Sequence, residues 1–171
     1  MSKQSGFTLI ELMVTLALIA IVLMIGVPSF RSMVTNNRVV AQANELATSI
    51  QYARSEAIKR TTSVSICSST NQTACDGGNA WATGWLVFTD ANSNGALDGG
   101  DTILRVFDGS STTNTLTTTV SSIVFQSTGL RPTGAANVTL TATSPSCTGN
   151  NKRIITVGAT GRSSMQQAAC P

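Results

Sequence analysis

Glu11 is the one ionisable side chain in the run from Phe7 to Val27, which is otherwise fit for hydrocarbon. Placing a charge at the centre of a bilayer costs about 2.5–3.5 kcal/mol on insertion scales, so such an acid normally has a partner and a task. At a rise of ~1.5 Å per residue the run reaches roughly 30 Å, the thickness of a bilayer core. The bland alternative is a carboxylate eased by the positive end of a helix dipole and snorkelling to the interface. A secretory signal fits poorly. The run ends at Gly26-Val27-Pro28-Ser29-Phe30, which offers no small-residue cleavage site.

The second group that could do chemistry is Asp90-Ala91-Asn92-Ser93-Asn94-Gly95, with Asp98 and Asp101 following. The order D-x-N-x-N-G places Asp90, Asn92, Asn94, Asp98 and Asp101 where a calcium loop carries oxygen ligands. The twelfth position holds Asp rather than the longer bidentate Glu, and the flanks read as strands. The competing reading is a hairpin loop whose Asx side chains cap their own backbone while Gly95 makes a left-handed turn. Calcium is the only cofactor the sequence suggests.

The chain has no histidine, which removes the usual general base and the commonest metal ligand. Serines are plentiful, but nothing is present to activate one, and no glycine-rich phosphate loop follows a strand. An enzyme is therefore not expected. Cys67, Cys75, Cys147 and Cys170 lack the C-x2-C spacing of a zinc site. An even count in an exported chain favours disulfides. Three pairings are possible. Cys67–Cys75 with Cys147–Cys170 joins sequence neighbours through modest loops, and each bond is worth about 2–4 kcal/mol. Trp81 and Trp85 read as core residues rather than a surface site, given the area each buries.

These groups need elements to position them. Val39, Ala43, Leu46, Ile50, Ala53 and Ala57 alternate in steps of four and three, the signature of one apolar helix face. Asn37, Glu45, Thr48, Gln51, Arg54 and Ser55 fall on the other face. A single helix from Phe7 to Arg60 would reach about 80 Å. Pro28 should kink or loosen it by removing a donor and crowding the preceding turn. After Arg60 the pattern changes to short β-branched and aromatic runs. Strands are predicted at Ser63–Cys67, Trp85–Thr89, Thr102–Phe107, Ser122–Gln126, Val138–Ala142 and Arg153–Val157, with a short one near Gly161–Met165. Ser110–Ser121 reads as a loop or an edge strand. Charged residues are 11% and apolar residues 42%, which suits an extracellular β-rich core rather than disorder. The expected class is α+β: a long N-terminal helix, transmembrane in its first half, packed on one or two antiparallel sheets.

Lys3 followed by Gly6-Phe7-Thr8-Leu9-Ile10-Glu11 resembles the class III leader of type IV pilins and type II secretion pseudopilins. Pro28 falls where many pilins have a kinking proline. Tyr52-Ala53-Arg54-Ser55-Glu56-Ala57-Ile58-Lys59-Arg60, Gly84-Trp85-Leu86-Val87-Phe88 and Asp90–Gly95 resemble the FimT/FimU/GspH group of minor pilins. The resemblance implies a leader at 1–6, a filament-core helix at 7–27, an amphipathic continuation at 28–60 and a β-rich head at 61–171. It implies cleavage between Gly6 and Phe7 by a prepilin peptidase and N-methylation of Phe7. Glu11 would then meet the Phe7 amine of a neighbouring subunit and set assembly register. The implied partners are that peptidase, other minor and major pilins or pseudopilins, an inner-membrane assembly platform and membrane lipid. The implied place is the inner membrane, single-pass, with the head periplasmic, then the pilus or pseudopilus. Lys3 before the span and Arg31 and Arg38 after it give little orientation by charge.

Some FimT-type pilins carry a C-terminal G-R-x-R element that binds DNA in natural transformation. Gly161 and Arg162 match it, and Ser164 stands in place of the second arginine. Lys152, Arg153 and Arg131 would supplement Arg162 if the fold gathered them. Phosphate affinity scales with the charges neutralised, so a net charge of +3 says little until those side chains are located.

Overall fold

A computed structural model describes residues 6–78, 81–109 and 114–170. Helix α1 runs from Leu9 to Arg60. The strands are β1 (Val64–Ser68), β2 (Gly84–Thr89), β3 (Ile103–Asp108), β4 (Thr115–Thr118), β5 (Ser122–Phe125), β6 (Val138–Thr143), β7 (Lys152–Val157) and β8 (Ser163–Ala168). The chain divides into two compact units between Thr35 and Asn36. That border lies past the end of the apolar run at Val27, where the sequence placed it.

In the first unit every residue from Gly6 to Arg31 is exposed. This stretch meets the length and hydropathy of a membrane span. α1 continues through Pro28 as helix. The proline supplies no N–H to the carbonyl one turn earlier, that of Met24.

In the second unit all six residues of the apolar face, Val39 to Ala57, are buried. They join Val64, Ile66, Trp85, Val87, Ile123 and Phe125 on one side and Leu116, Leu140, Ile155 and Val157 on another in a single core. Trp81 and Trp85 belong to it. Trp85 stacks on Phe107 at 5.7 Å, and Trp81 Nε1 donates to the Val120 carbonyl at 3.2 Å.

Two four-stranded antiparallel sheets form the rest. Sheet A has the order β3-β2-β1-β5 and sheet B the order β4-β6-β7-β8. β1 and β2 are central and buried on both faces, as two-sided apolar runs must be. Cys67, Leu86 and Phe88 form a second small core on the far face of sheet A, with Cys75 and Leu97 packed against it. The 69–78 and 90–101 loops thus cover that face. Cys67 bonds Cys75, and Cys147 bonds Cys170.

The Thr-rich segment forms β4 from Thr115, the edge-strand alternative; Ser110–Thr113 lies outside the described residues. The final strand begins and ends later than the pattern indicated, at Ser163 and Ala168. Gly161 cannot belong to it, because Gly161 has a φ of 71° and closes the turn from β7.

Candidate functional site

Thr8 and Glu11 lock the start of α1. Glu11 Oε2 accepts the Thr8 backbone N–H at 2.8 Å and the Thr8 hydroxyl at 2.9 Å. In return the Glu11 N–H donates to Thr8 Oγ1 at 3.3 Å. This is a capping box, Thr at the N-cap and Glu three residues on, satisfying donors the first turn leaves orphaned. The T-x-x-E spacing was visible in the sequence, and the role of Thr8 could have been found there. Farther along the span, the Thr15 hydroxyl donates to the Leu12 carbonyl at 2.9 Å. Each polar side chain between Phe7 and Val27 thus has a partner within its own helix, as hydrocarbon demands.

The Asp90–Asp101 loop joins β2 to β3. Asp90 is fully buried. Its carboxylate accepts Ser65 Oγ at 2.6 Å, Gly95 N–H at 2.8 Å and Asn94 N–H at 3.0 Å. Asn92 and Asn94 donate to Asp98 Oδ2 at 3.1 and 2.7 Å, and these bonds hold the Asp98 carboxyl below its usual range. Asn92 Oδ1 and Asn94 Oδ1 accept the N–H of Asn94 and of Ala96. Asp101 accepts the Asp98 N–H. Each of the five candidate ligands therefore already accepts a hydrogen bond from the protein. Among the described residues no three His, Cys, Asp or Glu side chains gather as a metal site. Ser93 and Gly95 hold positive φ, closing the turn. The arrangement matches the Asx-capped hairpin. Millimolar calcium is expected to leave the thermal midpoint of the full-length protein unchanged; a rise would show that calcium displaces these internal bonds.

The four basic candidates do not gather. Arg162 is exposed at the β7–β8 turn. Arg131 lies beside it, its N–H donating to Ala159 O at 3.0 Å. The Arg131 guanidinium is occupied, however, with Nη1 on the Ala136 carbonyl. Burial pushes its pKa down. Lys152 and Arg153 begin β7, at the opposite end from Val157 and the turn. Lys152 and Val157 are the two ends of the six-residue β7, about 17 Å apart at the rise of a strand. Arg54, a residue first read only as part of the polar helix face, is the cation that does reach the turn. Its Nε donates to Gly129 O at 3.0 Å. A side chain at Gly161 would meet the Gly129 carbonyl and the Arg54 side chain. Glycine here lets the turn pack down.

α1 also buries three polar residues on its apolar face. Gln42, Ser49 and Glu56 recur every seven positions and are buried. Gln42 Nε2 donates to Ala82 O at 3.1 Å, and Ser49 Oγ donates to Glu45 O at 2.8 Å. Glu56 accepts Arg60 Nε at 2.5 Å, and that bond, helped by nearby Lys59, lowers its pKa.

A family model described as "Type II transport protein GspH" matches residues 42–161, and one for the prokaryotic N-terminal methylation motif matches residues 1–27. The chain belongs to the GspH family. It is a minor pilin or pseudopilin by family, a structural subunit of pilin type and not an enzyme. It is membrane-anchored through an apolar N-terminal helix, and its partners include other pilins or pseudopilins. The GspH-family fold resembles crystal structures of the type IV minor pilin FimU from Pseudomonas aeruginosa strain PAO1. One in space group P21 has a TM-score of 0.58 and 23% identity over 76% of this chain and 89% of that one. Another in space group P65 has a TM-score of 0.55 and 24% identity over 74% and 90%. At these identities the likeness establishes the pilin fold. No curated protein matches the chain.

Proposed function

We propose that this GspH-family protein is a minor pilin that helps prime assembly of a type IV pilus with other minor pilins. A prepilin peptidase hydrolyses the Gly6–Phe7 peptide bond, and the freed amine of Phe7 is methylated and stays basic. The protein waits in the inner membrane with residues 61–171 in the periplasm, where the assembly platform engages it. The observation that carries this reading is the capped Glu11 at the head of a helix with every residue exposed to Arg31. Such a helix has nothing in its own first unit to cover it and needs lipid or neighbouring helices. In the subunit alone, Thr8 shares the charge of Glu11. In a filament the Phe7 amine of a neighbour offers a full positive charge, a stronger partner at low dielectric.

A deletion strain tests the role. Loss of piliation and twitching with normal secretion supports pilus priming. Loss of protein secretion with normal piliation assigns the protein to a type II secretion pseudopilus, a second reading favoured by the description of its family model. No change in either would overturn both.

DNA uptake is supported less well, because the four basic candidates are split between two ends of β7. One free arginine gives little phosphate affinity. In a gel shift at low salt, Arg162→Ala is expected to change duplex-DNA affinity less than about twofold by the charge count. A tenfold loss would restore the DNA reading.

A further inference from the structure

Sheets expose unpaired backbone at their outer strands, and proteins usually guard such edges with short strands, charges or bulges. Three of the four outer strands follow this rule. β4 and β5 have four residues each. β3 carries Arg105 and Asp108, and its pairing with β2 shifts register between Val87 and Phe88. β8 does not follow it. Its six residues, Ser163-Ser164-Met165-Gln166-Gln167-Ala168, are all neutral, and its pairing with β7 is unbroken from Val157↔Ser163 to Lys152↔Ala168. The four residues from Ser164 to Gln167 are exposed on both alternations.

The direction of its free groups follows from the turn. Gly158 N–H donates to Arg162 O at 3.0 Å, so residues 158 and 162 form a hydrogen-bonded pair. Antiparallel pairs alternate between bonded and non-bonded. Ser164 and Gln166 therefore bond to β7, while Ser163, Met165 and Gln167 turn their N–H and C=O groups to the open edge. Both ends of the strand are fixed. The Gly161 turn packs against Gly129 and Arg54, and Cys170 is tied to Cys147 and donates its N–H to Gly149 O at 2.9 Å.

Charge indicates what fits there. No Asp or Glu occurs after Asp108. Arg162 precedes β8, and Arg153 and Lys152 lie opposite Gln167 and Ala168 at its far end. The edge is neutral in the middle and cationic at both ends. We propose that β8 is an acceptor edge that takes, by strand addition, an extended segment of a neighbouring subunit's head, uncharged at its centre and acidic at its ends. Only the identity of the partner rests on the filament reading above.

Amide exchange of the full-length protein in detergent micelles tests it. The probe is a seven-residue peptide of alternating threonine and valine with aspartate at each end. It is expected to slow exchange at Met165 and Gln167 about tenfold, equivalent to ~1.4 kcal/mol, and to leave Ser164 and Gln166, already bonded, little changed. No slowing at Met165 and Gln167 overturns the proposal. Equal slowing by a lysine-ended peptide overturns its charge component. Slowing by a short DNA duplex and not by the peptide assigns the edge to nucleic acid, and slowing that grows with protein concentration assigns it to a second copy. In cells, Met165→Pro removes an outward donor that β7 does not use. This variant is expected to melt like the parent yet to join filaments less; Gln167→Pro serves the same purpose if Met165→Pro fails to fold. Normal incorporation of a folded variant would also overturn the proposal. If a deletion strain keeps both piliation and secretion while the peptide still protects β8, the filament reading fails and the acceptor edge stands.

Discussion

Glu11→Ala protein should accumulate in the membrane at parental levels but enter filaments at least about tenfold less, a loss of ~1.4 kcal/mol or more of assembly free energy. Insertion should not suffer, because removing an acid from an apolar run lowers its transfer cost. The capping box complicates the interpretation, since alanine removes both the cap and the charge. Capping losses are typically about 1 kcal/mol and would fray only the first turn. Glu11→Gln separates the two effects. Glutamine serves in a capping box as glutamate does, so it can still accept from Thr8, but it cannot form an ion pair. We expect Glu11→Gln to assemble as poorly as Glu11→Ala, and Thr8→Val, which loses the hydroxyl bond, to assemble far better than either. The measurement is the fraction of each protein in sheared filaments against the membrane fraction. Parental incorporation of Glu11→Gln would leave only a capping role for Glu11.

Asp90→Ala is the second large effect. The substitution leaves Ser65 Oγ and the Gly95 N–H without their acceptor, and the Asn94 N–H with only Asn92 Oδ1 at 3.3 Å. Bonds to a charged group contribute about 1.5–3 kcal/mol each, and stranded buried donors cost more than the mean. Loss of the set should destabilise the second unit by about 3 kcal/mol after relaxation, which lowers the thermal midpoint by roughly 10 °C for a unit of this size. Leu97, carried by the same loop, would lose its seat on Cys67, Leu86 and Phe88. Asp98→Ala serves as the comparison. Its carboxylate is exposed and holds only Asn92 and Asn94, so the midpoint should move by no more than about 2 °C. Equal shifts in the two variants would refute the stabilising role of the buried Asp90 hydrogen bonds.

The helix face from Val39 to Ala57 was legible because a regular period needs no partner to be recognised. Gln42, Ser49 and Glu56 share that face by position, but their polarity hid it; each is tolerated there because a hydrogen-bond partner lies in reach. The strand runs centred on Ile66, Trp85, Ile123, Leu140 and Ile155 were readable from alternation or continuous apolarity. The split into two sheets was not, because it depends on the pairing of β1 with β5 rather than with β4. At the candidate sites, Thr8 was legible through its spacing to Glu11. The separation of Lys152 and Arg153 from Arg162 was hidden, because they lie at opposite ends of the β7–β8 hairpin. The D-x-N-x-N-G pattern served two physical purposes equally well. The internal hydrogen bonds of Asp90, Asn92 and Asn94 that favour the hairpin cannot be read from that pattern.

A load-sharing role follows from the Cys147–Cys170 bond. A pull on the chain beyond Ala168 would open β8 like a zipper, one rung at a time, from that end. Here that end is bonded to the loop between β6 and β7. Tension on the tail passes through the sulfur bridge before it reaches the rungs of β8. Such a pull loads the bridge before the six pairs of β8, so the outermost strand keeps its place as long as the bridge is oxidised.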